Sequence, residues 1–379
     1  MAFDFKKEYK EFYMPKNKPE IVTVPAANYI AVRGQGDPNE AGGAYQQAIG
    51  ILYAVAYTLK MSYKTDYKIK GFFEYVVPPL EGFWWQEGAQ GVDYENKSAF
   101  HWISVIRLPD FVTKEDFDWA VETATKKKKM DCSAAEFLTI EEGLCVQIMH
   151  LGAFDEEPAT IAIMDRFLEE NGYVNDMNRE RLHHEIYMSD ARKVPPEKWK
   201  TVIRHPIIPK MLYHGSVFDG LDVILANAKS HVDENKVAYF TTDRVYALVC
   251  CRTREENFVT MGPKDGVQHY FERFPDQLKV LYDGREGYLY QPLSVRGLKK
   301  GKGNSWVSRE DVPVTLIEHI HNVYPEILKE EAAGNVIIHR YGEIDPEEQK
   351  MHANYMRDHL DDMAEYKDFL IKHFSSLWD

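Results

Sequence analysis

Residues 183–190, "HHEIYMSD", gather two histidines, a glutamate and a tyrosine in one short segment. The segment reads as a strand, and a core strand rarely spends a position on a carboxylate. Alternation sets His184, Ile186 and Met188 on one face and His183, Glu185 and Tyr187 on the other. The first set is apolar enough to face helices, which predicts Glu185 and Tyr187 on the open side of the sheet. A carboxylate there is costly without a partner or a job. Aromatic residues are plentiful in the neighbouring segments: Phe73, Tyr75, Phe83, Trp84, Trp85 and Trp102. An acid in an aromatic cavity has two uses. Ionised, it is the counter-charge of an apolar cation, and the rings add cation–π attraction. With its proton held more tightly, it is a general acid or base toward a water and a bound electrophile. Tyr187, on the same face, is placed to donate or relay a proton. The plainer alternative is that Glu185 bonds a neighbouring Lys or Tyr and only orients the sheet.

Other candidates are weighed by position. Trp84 and Trp85 are adjacent and point oppositely in a strand, so one lines a pocket and the other packs; Trp84 is the expected lining residue. Glu81 precedes Gly82 and is either a pocket acid or a turn acid. His150 shares its parity with Val146 and Ile148 and points to the core unless a bulge before Gly152 turns it outward. His184 reads as a core or edge histidine. There is no HExxH and no cluster at ligand spacing, so neither a metal nor a cofactor is expected.

The elements that must position these residues can be read from the whole chain. Its 379 residues are more than one core needs, so two domains are expected. The net charge of −14 is shared evenly by the two parts, which argues against nucleic-acid binding. The one basic run, Lys126–Lys129, ends an amphipathic segment and reads as a solvated helix C-terminus. Four cysteines without a CxxC suit a reducing compartment. The start of the chain has no signal-like apolar core, and the longest apolar run, "ILYAVAYTL", is too short to span a bilayer. A cytoplasmic protein with no membrane partner is the expectation; oligomeric state is not legible.

"EIVTVPAANYIAVRGQGD" reads as a strand ending in a Gly turn. A helix follows, with Ala48, Leu52, Val55 and Leu59 on one face. Two strands come next, "KGFFEYVVPPLEGFWW" and "SAFHWISVIRLPDFV", and then a helix capped by Thr113. The order recurs with "EGLCVQIMHLG", the helix "TIAIMDRFLEENGY", "HHEIYMSD" and "WKTVIRHPI". Superposing Gly36 on Gly152 aligns "NYIAVRGQG" with "LCVQIMHLG". The fold class expected is α+β: a duplicated β-α-β-β antiparallel sheet with helices on one face, over 1–208. "HPIIPKM", 205–211, reads as the boundary to a second, smaller mixed α+β domain, 209–379, closed by a long helix that Asp345 and Pro346 open.

Four segments carry a resemblance: "KKEYKEFYMPKNKPEIVTVPAANYIAVRGQGDPN", "PPLEGFWW", "EEGLCVQIMHLGAFDEEPATI" and "HHEIYMSDARKVPPEKWKTVIRHPI". Together they resemble the GyrI-like small-molecule-binding family over about residues 4–208. The resemblance implies the duplicated fold just read, and a Glu in an aromatic pocket that binds apolar cations, as in multidrug-responsive regulators. It further implies, from one stand-alone branch, hydrolysis of cyclopropane-bearing alkylating compounds for detoxification. Matching positions are Glu185 and Tyr187 as the working pair, with Glu81, Trp84, Trp85, Glu142, Gln147 and His150 around the ligand; Trp102 and Tyr75 join them as nearby aromatics. The regulators' helix-turn-helix has no counterpart before this domain, so direct DNA binding is not expected.

In the second domain "MLYHGS" followed by "VAYFTTDRVYAL" is similar to the opening of ADP-ribosyltransferase-like folds. That likeness implies NAD contacts by His214 and Tyr239, with Ser216 nearby. The Glu such enzymes carry on a later strand has no clear match, since Glu310 comes late in "NSWVSREDVPV". ADP-ribosyl transfer with the first domain as a sensor, and a pure binding module, therefore stand beside the hydrolase reading.

Overall fold

The computed structural model describes residues 2–88, 93, 95–229, 235–253, 259–295, 297–361 and 367–378. The chain divides into two compact units, Met1–Lys210 and Met211–Asp379. Among the described residues, no helix is long and apolar enough to cross a membrane.

Among the described residues the first unit holds nine strands: β1 (Glu20–Val24), β2 (Ala27–Gln35), β3 (Leu80–Trp85), β4 (His101–Arg107), β5 (Glu136–Ile140), β6 (Gly143–Leu151), β7 (Tyr173–Asn175), β8 (His183–Tyr187) and β9 (Lys200–Pro209). Two short helices, α1 (Phe5–Glu8) and α2 (Lys10–Tyr13), precede them; α3 (Ala44–Lys60), α4 (Lys114–Lys128) and α5 (Glu157–Glu170) lie between them, after β2, β4 and β6. Ala48, Leu52, Val55 and Leu59 are buried along α3, as their spacing predicts. Thr113 caps α4 in a capping box with Asp116. The two repeats are β2-α3-β3-β4 and β6-α5-β8-β9, and all their pairings are antiparallel.

The segment read as one strand, residues 20–37, is two strands, broken at Pro25–Ala26. β1 pairs with β6, in the other repeat, and β5 pairs with β2. Register runs on unbroken across both breaks: Val24 faces Gly143, and Ala27 faces Ile140. The β1–β2 and β5–β6 segments are therefore two long bent strands running side by side, one flanked by β4 and the other by β9. With β3 and β8 paired between the repeats, the ring closes. What the sequence suggested as an open sheet face is the inside of a barrel.

The inside is filled by a buried polar network as well as apolar groups. His184 lies between two carboxylates, Nδ1 at 2.9 Å from Glu142 and Nε2 at 3.0 Å from Glu81. Arg204 donates to Glu142 at 2.7 Å and to Gln147 at 3.1 Å. The N-terminal arm closes over it: the Tyr13 hydroxyl donates to Glu81 (3.0 Å), and Arg204 and Gln147 donate to the carbonyls of Phe12 and Glu11.

In the second unit the strand His214–Ser216 pairs with Gly287–Pro292, which pairs with Val312–Ile320. A separate sheet pairs Lys236–Thr241 with Ser305–Ser308. The expected long terminal helix is interrupted. Asp345 caps the helix Pro346–Asp358, His359 ends it, and a second helix spans Lys367–Phe374. The break lets Leu360, Leu370 and Phe374 cluster with Met356 around Phe274.

Candidate functional site

Glu185 sits on β8 in the middle of the barrel wall, opposite Gly82 of β3. The cross-strand pairs sort the neighbours by face. Trp84 pairs with His183 and Trp102, Gly82 with Ser104, and Tyr187 with Thr201. All of these share the outer face with Glu185, the face on which α3 and α5 pack. Neither helix covers the central strands β3 and β8; the gap between the helices is filled by side chains, and Trp84, Trp102, His183 and Glu185 beneath it are buried. Tyr45, near the start of α3, reaches into it from one side and Glu157, the first residue of α5, from the other. Tyr45 meets Trp84 and Trp102 at ring separations of 5.3 and 5.2 Å. Phe154 meets Tyr187 at 5.7 Å and Trp199 at 4.7 Å.

The Trp84 indole N–H donates to the Tyr187 hydroxyl at 3.0 Å. Gly82 makes that contact possible, because a Cβ there would lie 2.6 Å from the indole nitrogen and 3.0 Å from the hydroxyl. Burial, then the Glu185 carboxylate and Tyr45, push the Tyr187 phenol well above its ordinary range, so it stays protonated. Polar atoms on this face, among them the Trp102 indole nitrogen and the Thr201 hydroxyl, are buried with no hydrogen-bond partner among the described residues. Such atoms are costly unless a ligand or water meets them.

Behind Glu185 runs a chain of donors whose direction can be worked out. The Asn175 side-chain oxygen accepts from the Met177 N–H (2.9 Å), which turns its NH2 toward His205 Nδ1 at 3.2 Å. His205 is neutral, since burial and the adjacent His183 hold its basicity well below the ordinary range. Its proton must then sit on Nε2, which donates to His183 Nδ1 at 2.7 Å. That places the His183 proton on Nε2, which donates to Glu185 Oε1 at 2.9 Å. Glu157, His183 and Glu185 bring three ligand atoms within 4.8 Å of one another. In this arrangement His183 Nε2 is engaged with Glu185, which ends the relay.

A family model of GyrI-like small-molecule-binding domains matches residues 17–208, just over half the chain. The chain belongs to that family. Solved structures agree. An uncharacterized conserved protein from Listeria innocua is 49% identical, aligns over 55% of this chain and 100% of its own, and has a TM-score of 0.52. A Listeria innocua structure described as a hydrolase is 47% identical over the same shares, with a TM-score of 0.50. No curated protein matches the chain.

Within the GyrI-like domain the structure brings together Glu185, Tyr187, Trp84 and Trp102. It places them on the helix side, reversing the face expected from the apolar character of His184, Ile186 and Met188. His184 belongs to the barrel interior because two carboxylates meet it there. Glu81, Glu142 and Gln147 lie in that interior too, hydrogen-bonded to His184, Arg204 and Tyr13, and do not reach the gap. Trp85 points inward by alternation and stacks on His101. Tyr75 packs with Phe5, Tyr13 and Ile186 beneath the N-terminal arm. His150 faces α5, with both ring nitrogens occupied, by Thr160 (2.8 Å) and the Ala153 carbonyl (3.0 Å). A cavity of about 340 Å³ lies on the inner side, lined by Phe83, Ile103, Ile140 and Arg181 among others; Glu185, Tyr187 and Trp84 do not border it.

Sequence reasoning missed Glu157, His205 and Asn175 as neighbours of Glu185. Glu157 looks like an ordinary first-turn acid ahead of a helix, and His205 falls in the stretch read as a domain boundary. In the second unit, His214 Nδ1 donates to the Tyr239 carbonyl at 2.8 Å, so the two meet through backbone. Glu310 lies beyond the strand Ser305–Ser308 that pairs with Tyr239's strand.

Proposed function

We propose that the GyrI-like domain binds flat aromatic or cationic small molecules in the gap between α3 and α5, and hydrolyses reactive, cyclopropane-type electrophiles there. The observation that carries this reading is a buried carboxylate, Glu185, held by a relay of hydrogen-bond donors beside the Trp84–Tyr187 pair. Trp84, Trp102 and Tyr45 supply flat surfaces for stacking, and a cation would gain from both the rings and the carboxylate. The relay fixes one oxygen of Glu185 and Tyr187 bonds the same carboxylate, which would orient a water. In the hydrolytic step Glu185 takes a proton from that water as its oxygen bonds to a strained ring carbon. The ring C–C bond breaks, and its electron pair moves into the conjugated carbonyl. That oxygen takes up the proton, for a net addition of one water. Tyr187, kept as a phenol, donates a hydrogen bond to the oxygen as charge develops. The Listeria innocua relative described as a hydrolase supports the catalytic half of the proposal. Such an activity would serve detoxification or drug resistance.

The test is turnover of a cyclopropane-bearing alkylating agent by wild type and Glu185→Gln, followed by mass spectrometry. Glutamine keeps an oxygen for the His183 N–H but cannot take a proton. Water adduct from wild type only, with turnover about 10²–10⁴-fold lower in the variant, supports the reading. Intact compound with both proteins, alongside a ligand-induced rise in Tm, would reduce the site to a binding pocket.

A further inference from the structure

We propose that the second unit carries a binding site for a divalent transition metal, formed by Glu286, His319 and His321. The strand Val312–Ile320 ends at this site, and His319 and His321, two residues apart, project from the same face. The neighbouring strand begins at Gly287, which pairs with Ile320, while Tyr288 pairs with His319. Continuing that register one residue outward sets Glu286 opposite His321. Two adjacent cross-strand pairs thus converge on one face.

Glu286, His319 and His321 each offer a ligand atom, and the three atoms lie within 4.8 Å of one another. His319 Nε2 is 3.2 Å from Glu286 Oε2. Nitrogen and oxygen ligands about 2.0–2.2 Å from a tetrahedral zinc lie roughly 3.3 Å apart, so that pair already spans a coordination edge. The His321 ring, 4.4 Å from the His319 ring by centroids, closes the third corner by a side-chain rotation. Supporting contacts hold the ligands in place. The Tyr288 hydroxyl donates to Glu286 Oε2 at 2.8 Å, and the Tyr288 ring stacks on His319 at 4.7 Å and 6°. A partner that orients a ligating carboxylate is the usual companion of a metal site.

Two imidazoles and one carboxylate suit ions of intermediate softness such as Zn²⁺, Co²⁺ or Ni²⁺ rather than Mg²⁺ or Ca²⁺. All three residues are exposed, so an ion can enter directly and keeps at least one coordination position for water. Three protein ligands plus a water is the arrangement of catalytic rather than structural zinc. The spacing was invisible in sequence because the third ligand lies just before a separate strand, more than thirty residues earlier.

The test is a Zn²⁺ titration of the tag-free, chelator-stripped full chain against a chromogenic competitor. One equivalent should bind to wild type. His319→Ala and His321→Ala should each weaken it at least tenfold, and Tyr288→Phe by about tenfold through loss of ligand orientation. Glu185→Gln should leave the equivalent intact. The proposal is overturned if wild type binds Zn²⁺ no more tightly than a His319→Ala/His321→Ala double variant. It is equally overturned if the bound equivalent disappears with Glu185→Gln. Unchanged melting temperatures without metal show that these surface variants are folded.

Discussion

Replacing Glu142 with glutamine should destabilise the first unit by an amount the structure allows to be worked out in two ways. Glu142 holds Arg204 at 2.7 Å and His184 at 2.9 Å inside the barrel, where neither cation meets water. Removing one partner of a buried pair costs about 3–5 kcal/mol, because the other charge stays buried. The protonation route gives a similar figure. Burial favours the neutral acid, but His184 and Arg204 outweigh it and bring the Glu142 carboxyl from 4.5 down to about 2. At 1.36 kcal/mol per unit, that depression is worth roughly 3 kcal/mol. Its sign follows from the direction. The stabilisation is complete above pH 4.5 and is lost as pH falls toward 2. His184 behaves oppositely: burial opposes its charge, yet Glu142 and Glu81 raise its basicity. Its contribution is complete below pH 6.5 and is lost as pH rises through the raised folded value. In a unit of this size, 3–5 kcal/mol corresponds to a fall in Tm of about 6–20 °C. The assay is denaturant unfolding of the full chain from pH 7 to pH 2.5, with amide exchange of peptides from β6 and β9 to assign the transition. Glu142→Gln should be less stable at pH 7 and should flatten the acid limb. A loss below about 1 kcal/mol at pH 7, or an acid limb as steep as that of wild type, would refute the reasoning.

Three further outcomes are expected. Gly82→Ala puts a methyl 2.6 Å from the Trp84 indole nitrogen and 3.0 Å from the Tyr187 hydroxyl, so it should cost about 1–3 kcal/mol and shift tryptophan fluorescence. Asn175→Leu removes the group that sets the relay's direction; ¹⁵N NMR should show Nε2–H tautomers for His183 and His205 in wild type and a mixture in the variant, with a stability loss of about 1–3 kcal/mol. Gly215→Ala would bring a Cβ to 1.8 Å from the Ala247 carbonyl, a backbone atom that cannot swing away, so the second unit should lose about 3 kcal/mol or more by calorimetry.

Local pattern carried much of the fold into the sequence. The α3 stripe, the Thr113 cap and the repeat of strand, helix and two strands were all legible because each depends on neighbours in the chain. The face of Glu185 was not. Parity correctly separated Glu185 and Tyr187 from His184, and Trp84 from Trp85. Which face meets the helices depended on His184, whose imidazole looked apolar until two carboxylates, 42 and 103 residues away in the chain, met it. The donor relay is hidden for the same reason: Asn175, His205 and His183 come from three strands. The division of one apparent strand at Pro25 was signalled by the proline, but its consequence, a partner in the other repeat, is a long-range fact that no window contains.

The lacing of β1 onto β6 and of β5 onto β2 makes the two repeats dependent on each other. A fragment bearing the first repeat alone would leave β1 with no strand to join and expose the free edges of β2 and β3. Unpaired edges of that length invite pairing with another copy. Two such fragments could satisfy each other by exchanging β1, rebuilding the same ring as a dimer with a true two-fold axis. Joining the copies in one chain removes the concentration dependence of that assembly. It also frees the two halves of the gap to diverge, so that one side now presents Tyr45 and the other Glu157 to a single off-centre carboxylate.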